Sequence, residues 1–112
     1  MNDKKPVPLQ FFTLADDGQT PVPCDFAEWM AWNLHAHRHL FETEFEDMRL
    51  STVFIGIDST AKLAPLLFES KIFGGVLDGA FTRCSSYEEA EAQHREGLEY
   101  MCRIQESRRT IQ

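Results

Sequence analysis

Three histidines stand two residues apart, at His35, His37 and His39, and Glu42 follows them. On a β-strand alternate residues share a face, so the three imidazoles would point the same way and could bind a catalytic zinc ion. On a helix end, side chains two residues apart diverge, and a histidine is favourable near the negative end of the helix dipole. We prefer the helix end, because the preceding residues have a helical pattern, and keep a metal site as the alternative hypothesis.

Two further residues could take part in proton transfer or metal binding. His94 lies on the apolar face of a predicted helix, where we expect a half-buried histidine with satisfied hydrogen bonds rather than a catalytic base. Asp58 follows an apolar segment, a position at which enzymes with parallel sheets place catalytic carboxylates. The sheet predicted here is antiparallel, so we interpret Asp58 as the cap of a loop.

The acidic residues Glu42, Glu44 and Glu46 recur at every second position. On a strand this spacing would place the three carboxylates on one face, either as a solvated surface or as an imitation of a phosphate row for a basic, nucleic-acid-binding partner. The chain has 11 Lys and Arg against 18 Asp and Glu, a formal net charge of −7. This balance argues against direct binding to nucleic acid, which needs clustered cations.

The sequence lacks the short motifs that mark common enzymes. The pair Gly74-Gly75 belongs to no phosphate-binding loop, and the motifs of serine hydrolases, zinc proteases and calcium loops are absent. The cysteines, Cys24, Cys84 and Cys102, are odd in number and match no zinc-site spacing, which indicates reduced thiols. We therefore predict no cofactor. No basic-then-apolar leader and no run long enough for a membrane span is present, so we expect a cytoplasmic protein that binds no membrane.

The apolar pattern that must position these residues predicts the element order β-α-β-β-β-β-α. Strands are expected over residues 9–15, 40–46, 49–57, 66–73 and 80–84. The segment 49–57 carries apolar residues on both faces and is predicted to be the central strand. Short connections favour an α+β fold, with a single antiparallel meander of four to five strands and two helices packed on one face. Residues 1–8 and 107–112 are predicted to be flexible tails of one domain, residues 9–106.

Both helices have start signals in the sequence. Asp25 followed by Glu28 has the spacing of a capping box, and Ser85 and Ser86 each stand three residues before a glutamate. Trp32 lies off the apolar stripe of the first helix, so we expect it to pack beneath a neighbouring element, with a partner-facing position as the alternative.

The last helix and the last strand carry further signals. The buried stripe of the helix is predicted to contain Tyr87, Ala90, His94, Leu98 and Met101. Gly97 also falls on this stripe, where a glycine costs about 1 kcal/mol relative to alanine, so we predict a close approach of the helix to the sheet. Arg83 on the last strand is expected to discourage pairing with another sheet edge.

Four blocks of the chain share a pattern with known sequences: QTPVP followed by EW, STVFIGID, PLLFES followed by IFGG, and SYEEAEA followed by His94. In this order they resemble a family of small uncharacterised proteins encoded by bacteriophages, prophages and their bacterial hosts, over residues 18–100. Typical members have a histidine directly after the aspartate that matches Asp58, where this chain has Ser59, and the stretch 35–39 departs from their pattern. The resemblance implies a phage or bacterial cytoplasmic setting and carries no activity.

The sequence therefore predicts a non-enzymatic accessory protein of phage or prophage type that binds a host macromolecule, such as an inhibitor of a host defence system. A protein partner is expected, basic or nucleic-acid-binding, docked on Glu42, Glu44 and Glu46 with Trp32 and Phe73 as aromatic contacts. Two alternatives stay open. One is a metal-binding protein or metal-dependent enzyme that uses His35, His37 and His39. The other is a structural homo-oligomer, for instance a homodimer, with Trp32 or Phe73 in the interface.

Overall fold

The strands of the chain form two antiparallel sheets, described in a computed structural model for residues 8–60 and 63–110. The elements are β1 (Gln10–Leu14), β2 (Pro21–Cys24), α1 (Phe26–Asn33), β3 (His39–Phe45), β4 (Met48–Phe54), β5 (Ile57–Asp58), β6 (Phe68–Phe73), β7 (Phe81–Cys84) and α2 (Tyr87–Thr110). The larger sheet has the order β3-β4-β6-β7 and the smaller has the order β2-β1-β5. The α+β class is confirmed. Neither helix within the described ranges is long and apolar enough to cross a membrane.

The larger sheet carries the core on the face that α2 covers. The inward residues of β4 alternate along the strand, and Leu50, Thr52 and Phe54 are almost fully buried. Gly97 allows α2 to approach closely, since a β-carbon at this position would lie 3.1 Å from Leu50 Cδ2. The predictions of a central strand and of a close helix approach are therefore confirmed, although the strand is shorter than expected.

The N-terminus of α2 is fixed by hydrogen bonds between neighbouring residues. The Glu89 N–H donates to Ser86 Oγ at 3.1 Å, and the Ser86 hydroxyl donates to Glu89 Oε1 at 3.0 Å. Acidic side chains occupy the first turn and Arg108 and Arg109 occupy the last, in agreement with the helix dipole. The helix continues to Thr110, past the predicted domain boundary at residue 106. Most of the predicted N-terminal tail, residues 1–7, and residues 111–112 lie outside the described part of the chain.

The prediction of a single meander is wrong, because the segment 49–57 is not one strand. Strand β4 ends at Phe54, and Gly56 follows with a φ of +72°, a left-handed conformation that turns the chain away from β6. The Phe12 N–H then donates to the Gly56 carbonyl at 2.8 Å, and Ile57–Asp58 pair with β1 as a separate short strand. The first strand thereby belongs to a second sheet.

The third strand of the smaller sheet, β2, is absent from the predicted element order, and it contains two prolines. In the structure Pro21 and Pro23 lie opposite Leu14 and Phe12 of β1. Since the prolines are two residues apart, their missing N–H groups face the same side of the strand, and β2 is an edge strand that needs no donor on that side.

The prediction that both helices cover one face is also wrong. Helix α1 lies against β1 of the smaller sheet, whereas α2 lies against the strands of the larger sheet. The predicted capping box of α1 is present, with the Glu28 N–H donating to Asp25 Oδ1 at 2.8 Å. The Phe11 ring of β1 contacts Phe26 of the helix with 5.4 Å between ring centroids. The separate sheet explains the difference, because α1 follows β2 and packs on the nearest strand.

Candidate functional site

The larger sheet has one uncovered face, which points away from α2. Thr43 of β3 and Thr52 of β4 form hydrogen bonds with His94 of α2, so their side chains point towards α2. The residues that alternate with them along the two strands therefore point to the opposite side. We call this side the outer face and define it by the outward residues of its four strands: Glu42, Glu44, Arg49, Ser51, Val53, Glu69, Lys71, Phe73, Phe81 and Arg83.

Charges of both signs alternate across the outer face. Arg49 Nη1 donates to Glu42 Oε1 at 2.5 Å, and Arg83 Nε donates to Glu69 Oε2 at 3.0 Å, in both cases between neighbouring strands. With Glu44 and Lys71 the face holds three carboxylates and three cations, so its formal charge is zero although the chain carries −7. Which cation pairs with which carboxylate follows from the strand register, and the spacing of the acidic residues alone does not reveal it.

An exposed aromatic ring lies among these charges. Phe73 is 37% exposed, and the guanidinium carbon of Arg49 lies 4.5 Å from its ring centroid. Lys71 lies two residues before Phe73 on β6, and its ammonium is 5.5 Å from the same centroid. Cations at these distances are attracted to the negative faces of the ring and hold it in place on the open sheet.

The predicted row of three carboxylates is only partly present. Glu42 and Glu44 share the outer face, but β3 ends at Phe45 and Glu46 adopts a turn conformation with a φ of 56°. The Glu46 carboxylate contacts Arg109 and Gln105 of α2 instead. The expectation that all three acids share one face is wrong for Glu46, because the strand is one residue shorter than the alternation suggests.

Trp32 does not join Phe73 on the outer face. It is half-buried and packs edge-on against Phe54, with 5.7 Å between ring centroids. This agrees with the preferred interpretation of Trp32 as a packing residue. Of the aromatic residues named from the sequence, the structure brings only Phe73 together with the acidic side chains of β3.

The three histidines lie along the connection from α1 to β3. All are exposed, and only His39 belongs to a strand, as the first residue of β3. Over residues 8–60 and 63–110, the structure contains no group of three or more His, Cys, Asp or Glu residues placed to hold one metal ion.

His94 belongs to a buried chain of hydrogen bonds that crosses the sheet beneath α2. The Gln93 amide donates to Ser70 Oγ at 2.8 Å and to the Thr82 carbonyl at 3.2 Å. Ser70 Oγ lies 2.6 Å from Thr52 Oγ1, which lies 2.8 Å from His94 Nδ1. The chain ends where His94 Nε2 meets the hydroxyl of Thr43 at 3.0 Å.

The Thr82 carbonyl fixes the orientation of the Gln93 amide at the start of this chain. A carbonyl can only accept, so the Gln93 nitrogen must face it and must donate to Ser70 as well. Between Ser70 and Thr52 either hydroxyl can donate, because Ser70 Oγ has a second lone pair, and the roles at the ring nitrogens follow the tautomer of His94. In either tautomer the neutral ring donates from one nitrogen and accepts at the other, and burial lowers the pKa of His94 below its ordinary value. The prediction of a histidine with satisfied hydrogen bonds is confirmed.

A groove of about 630 Å³ runs between α2 and the β6–β7 side of the sheet. Ser70, Thr82 and Gln93 form part of its lining, with Glu89 and Arg103 among the charged residues. The thiol of Cys84 also faces the groove, and burial, with a smaller contribution from Glu89, raises its pKa to about 11. At neutral pH this thiol stays protonated and is a poor nucleophile.

Asp58 is buried and organises the loop that follows β5. Its carboxylate accepts from the Thr60 hydroxyl at 2.9 Å and from the Leu66 N–H at 3.3 Å. Both donors belong to the loop between β5 and β6, so the carboxylate closes this loop on itself. The interpretation of Asp58 as a loop cap is confirmed.

Comparison with protein-family models, with curated proteins and with solved structures gave no match for this chain. The features from which function can be inferred are therefore the chain's own: the outer face, the free edge of β7 and the groove beside α2. Of these, the outer face combines the acidic residues and the aromatic residue that the sequence singled out.

Proposed function

We propose that this chain is a non-enzymatic accessory protein that binds a protein partner through the outer face of its larger sheet. The observation that carries the proposal is the exposed ring of Phe73, held between Arg49 and Lys71 on an uncovered sheet surface. Aromatic residues and arginine are enriched at protein interfaces, and a few such residues carry most of the binding energy.

The charges around Phe73 support recognition of a specific partner. Because acids and bases alternate across the face, a partner with the complementary alternation is attracted and one with like charges is repelled. Glu44 lies across the strand pair from Arg49, at the end of the face where Glu42 adds a second carboxylate. A basic segment of the partner is therefore expected at the β3 end, as the acidic spacing in the sequence also suggests.

The biological setting forms part of the same proposal. The four sequence blocks that resemble phage and prophage proteins support a bacterial cytoplasmic setting and a host partner, and inhibition of a host defence protein is one form that such binding can take. This part rests on the sequence resemblance alone, whereas the binding surface rests on the geometry of the outer face.

The proposal is tested by capture of partners from bacterial lysate with mass spectrometry, using four forms of the protein. Phe73→Ala removes the central ring and Glu44→Lys reverses a charge at the β3 end. Leu34→Ala is the matched control, because Leu34 is 75% exposed, apolar and outside the outer face. A partner bound by the wild type is expected to bind Leu34→Ala equally, and to bind the other two at least about tenfold more weakly.

The same partner measured by titration calorimetry gives the affinities that decide between outcomes. If all three variants bind it as tightly as the wild type does, the outer face is not the binding surface. If Leu34→Ala alone loses binding, the partner docks on α1 and the proposal is wrong.

A further inference from the structure

The outer edge of β7 is open to pairing. β7 is the last strand in the order of the larger sheet, and Phe81, Thr82 and Arg83 are exposed. The Ile72 N–H donates inward to the Ala80 carbonyl at 2.9 Å, and in an antiparallel ladder inward-bonding and outward-bonding residues alternate. The N–H and C=O groups of Phe81 and Arg83 therefore point away from β6, and no strand in the described ranges pairs with them.

We propose that two copies of this chain pair through β7, antiparallel and centred on Thr82, and so join their larger sheets into one sheet of eight strands. In this register Phe81 of each copy lies opposite Arg83 of the other. Both residues bond outward, so the two pairs exchange four hydrogen bonds and satisfy every outward group of Phe81 and Arg83. An edge strand with unpaired backbone groups is a template for this kind of pairing.

Neighbouring registers are less favourable for physical reasons. Centring the pair on Arg83 would place two guanidinium groups opposite each other, and like charges directly opposite are destabilising. Centring it on Phe81 would require the N–H of Gly79, which already donates to the Ile72 carbonyl at 2.8 Å. Only the register centred on Thr82 uses free groups and avoids repulsion.

The side chains around this register are complementary. Phe81 is 60% exposed, and Lys71 lies opposite it on β6 of the same chain. Within one chain the Arg83 guanidinium lies 5.6 Å from the centroid of the Phe81 ring. Pairing brings Arg83 of the second copy to the opposite side of this ring, where a second cation–π contact can form. On the inward side, Thr82 meets Thr82 of the second copy, a favourable cross-strand pair.

Arg83 was expected to discourage pairing of this edge with another sheet, and two observations favour the proposed pairing in spite of it. Its side chain lies on the outer face rather than along the edge, and its charge is paired with Glu69 at 3.0 Å. The guanidinium is therefore free of net repulsion and is placed to stack on the second copy's ring.

The charges in the groove also fit a two-fold axis at Thr82. Glu89 and Arg103 both line the groove, and they are fourteen positions apart on α2, about 21 Å at 1.5 Å per residue. A two-fold axis reverses the direction of α2, so the acidic end of one groove lies on the same side as the basic end of the other. The two-fold arrangement therefore places groove ends of opposite charge, and not of like charge, on the same side.

The oligomeric state of the full chain and of matched variants tests the proposal. Light scattering and sedimentation equilibrium are expected to show twice the chain mass for the wild type. Arg83→Pro removes the arginine side chain and the outward N–H, a loss that an edge strand tolerates. Arg83→Ala is the matched control, because it removes the same side chain but keeps the N–H. Arg83→Pro is expected to dissociate at least about tenfold more readily than Arg83→Ala, because it loses two hydrogen bonds per dimer.

A cross-linking experiment fixes the register without relying on Arg83→Pro to fold. Directly opposite residues of a non-hydrogen-bonded pair have α-carbons about 4.5 Å apart, within the range that a disulfide spans. Thr82→Cys is therefore expected to give a reducible covalent dimer under mild oxidation, whereas Val76→Cys, also exposed but away from β7, gives none. A monomeric wild type, a dimer that Arg83→Pro leaves unchanged, or a Thr82→Cys variant that does not cross-link would each overturn the proposal.

Discussion

Acidification should destabilise this protein through one buried residue, His94. His94 is 8% exposed, and its two ring nitrogens meet the hydroxyls of Thr52 and Thr43. A neutral ring accepts a hydrogen bond at one of its nitrogens, so a second proton there would displace the hydroxyl proton that points at it. Burial adds to this cost and lowers the pKa of His94 in the folded state below the value of 6.5 that an unperturbed histidine has.

The sign and the size of the effect follow from proton linkage. As the pH falls through 6.5, the unfolded chain takes up a proton at this residue that the folded chain does not bind, so the free energy of unfolding decreases. The loss stops once the pH is below the folded pKa. Between about pH 7.5 and about pH 5.5 the contribution of His94 is at most about 1.4 kcal/mol, the value reached if the folded ring stays neutral throughout.

The assay is urea unfolding at the two pH values for the wild type and for His94→Gln, which does not titrate. The variant is expected to be less stable at both pH values, by about 1–3 kcal/mol, because buried hydroxyls lose a partner. The wild type should lose up to about 1.4 kcal/mol more than the variant on acidification. Equal losses in the two proteins, or a wild type that gains stability relative to the variant at the lower pH, would refute the claim that the buried ring resists protonation.

Three further predictions concern glycines and metal. Gly56→Ala should cost about 2 kcal/mol or more in urea unfolding, because φ is +72° and the new β-carbon would lie 2.5 Å from the Phe12 carbonyl oxygen; a neutral effect would mean that the turn is misplaced. Gly97→Ala gains about 1 kcal/mol of helix propensity but presses on Leu50, 3.1 Å away in a packed core, which costs about 1–3 kcal/mol. We expect a lower melting temperature for this variant, and a clear increase would show that α2 can move outward. A chelator should leave the melting temperature of untagged protein unchanged, because the histidines of residues 35–39 are exposed and not gathered around one point, and a decrease would restore the metal hypothesis.

Features encoded by neighbouring residues could be predicted from the sequence. The start of α2 depends on Ser86 and Glu89, three positions apart, and its buried stripe depends on helical spacing, so both follow from local chemistry. The loop cap at Asp58 is local in the same way, since one of its donors is two residues away. The close approach at Gly97 was predicted because a glycine on a buried stripe needs a packing reason.

Features that depend on distant pairing could not be predicted. The break after Phe54 needs β1 as a partner for Ile57–Asp58, and that partner is more than forty residues away in the chain. The same holds for the outer face, where the ion pair of Glu42 with Arg49 depends on strand register. The buried chain from Gln93 to His94 combines four strands and a helix, and the sequence shows its members only as scattered polar residues.

The two-sheet arrangement has a consequence for how the molecule opens. Helix α1 has no fully buried residue and rests on the smaller sheet, whereas β4 is paired on both sides and is buried along most of its length. Backbone amides that open by local fraying should therefore exchange with deuterium early in α1 and β2, and those of β4 only with global unfolding. The chain would then contain a part that opens readily and a part that opens only on global unfolding, and Gly56 would mark the boundary between them.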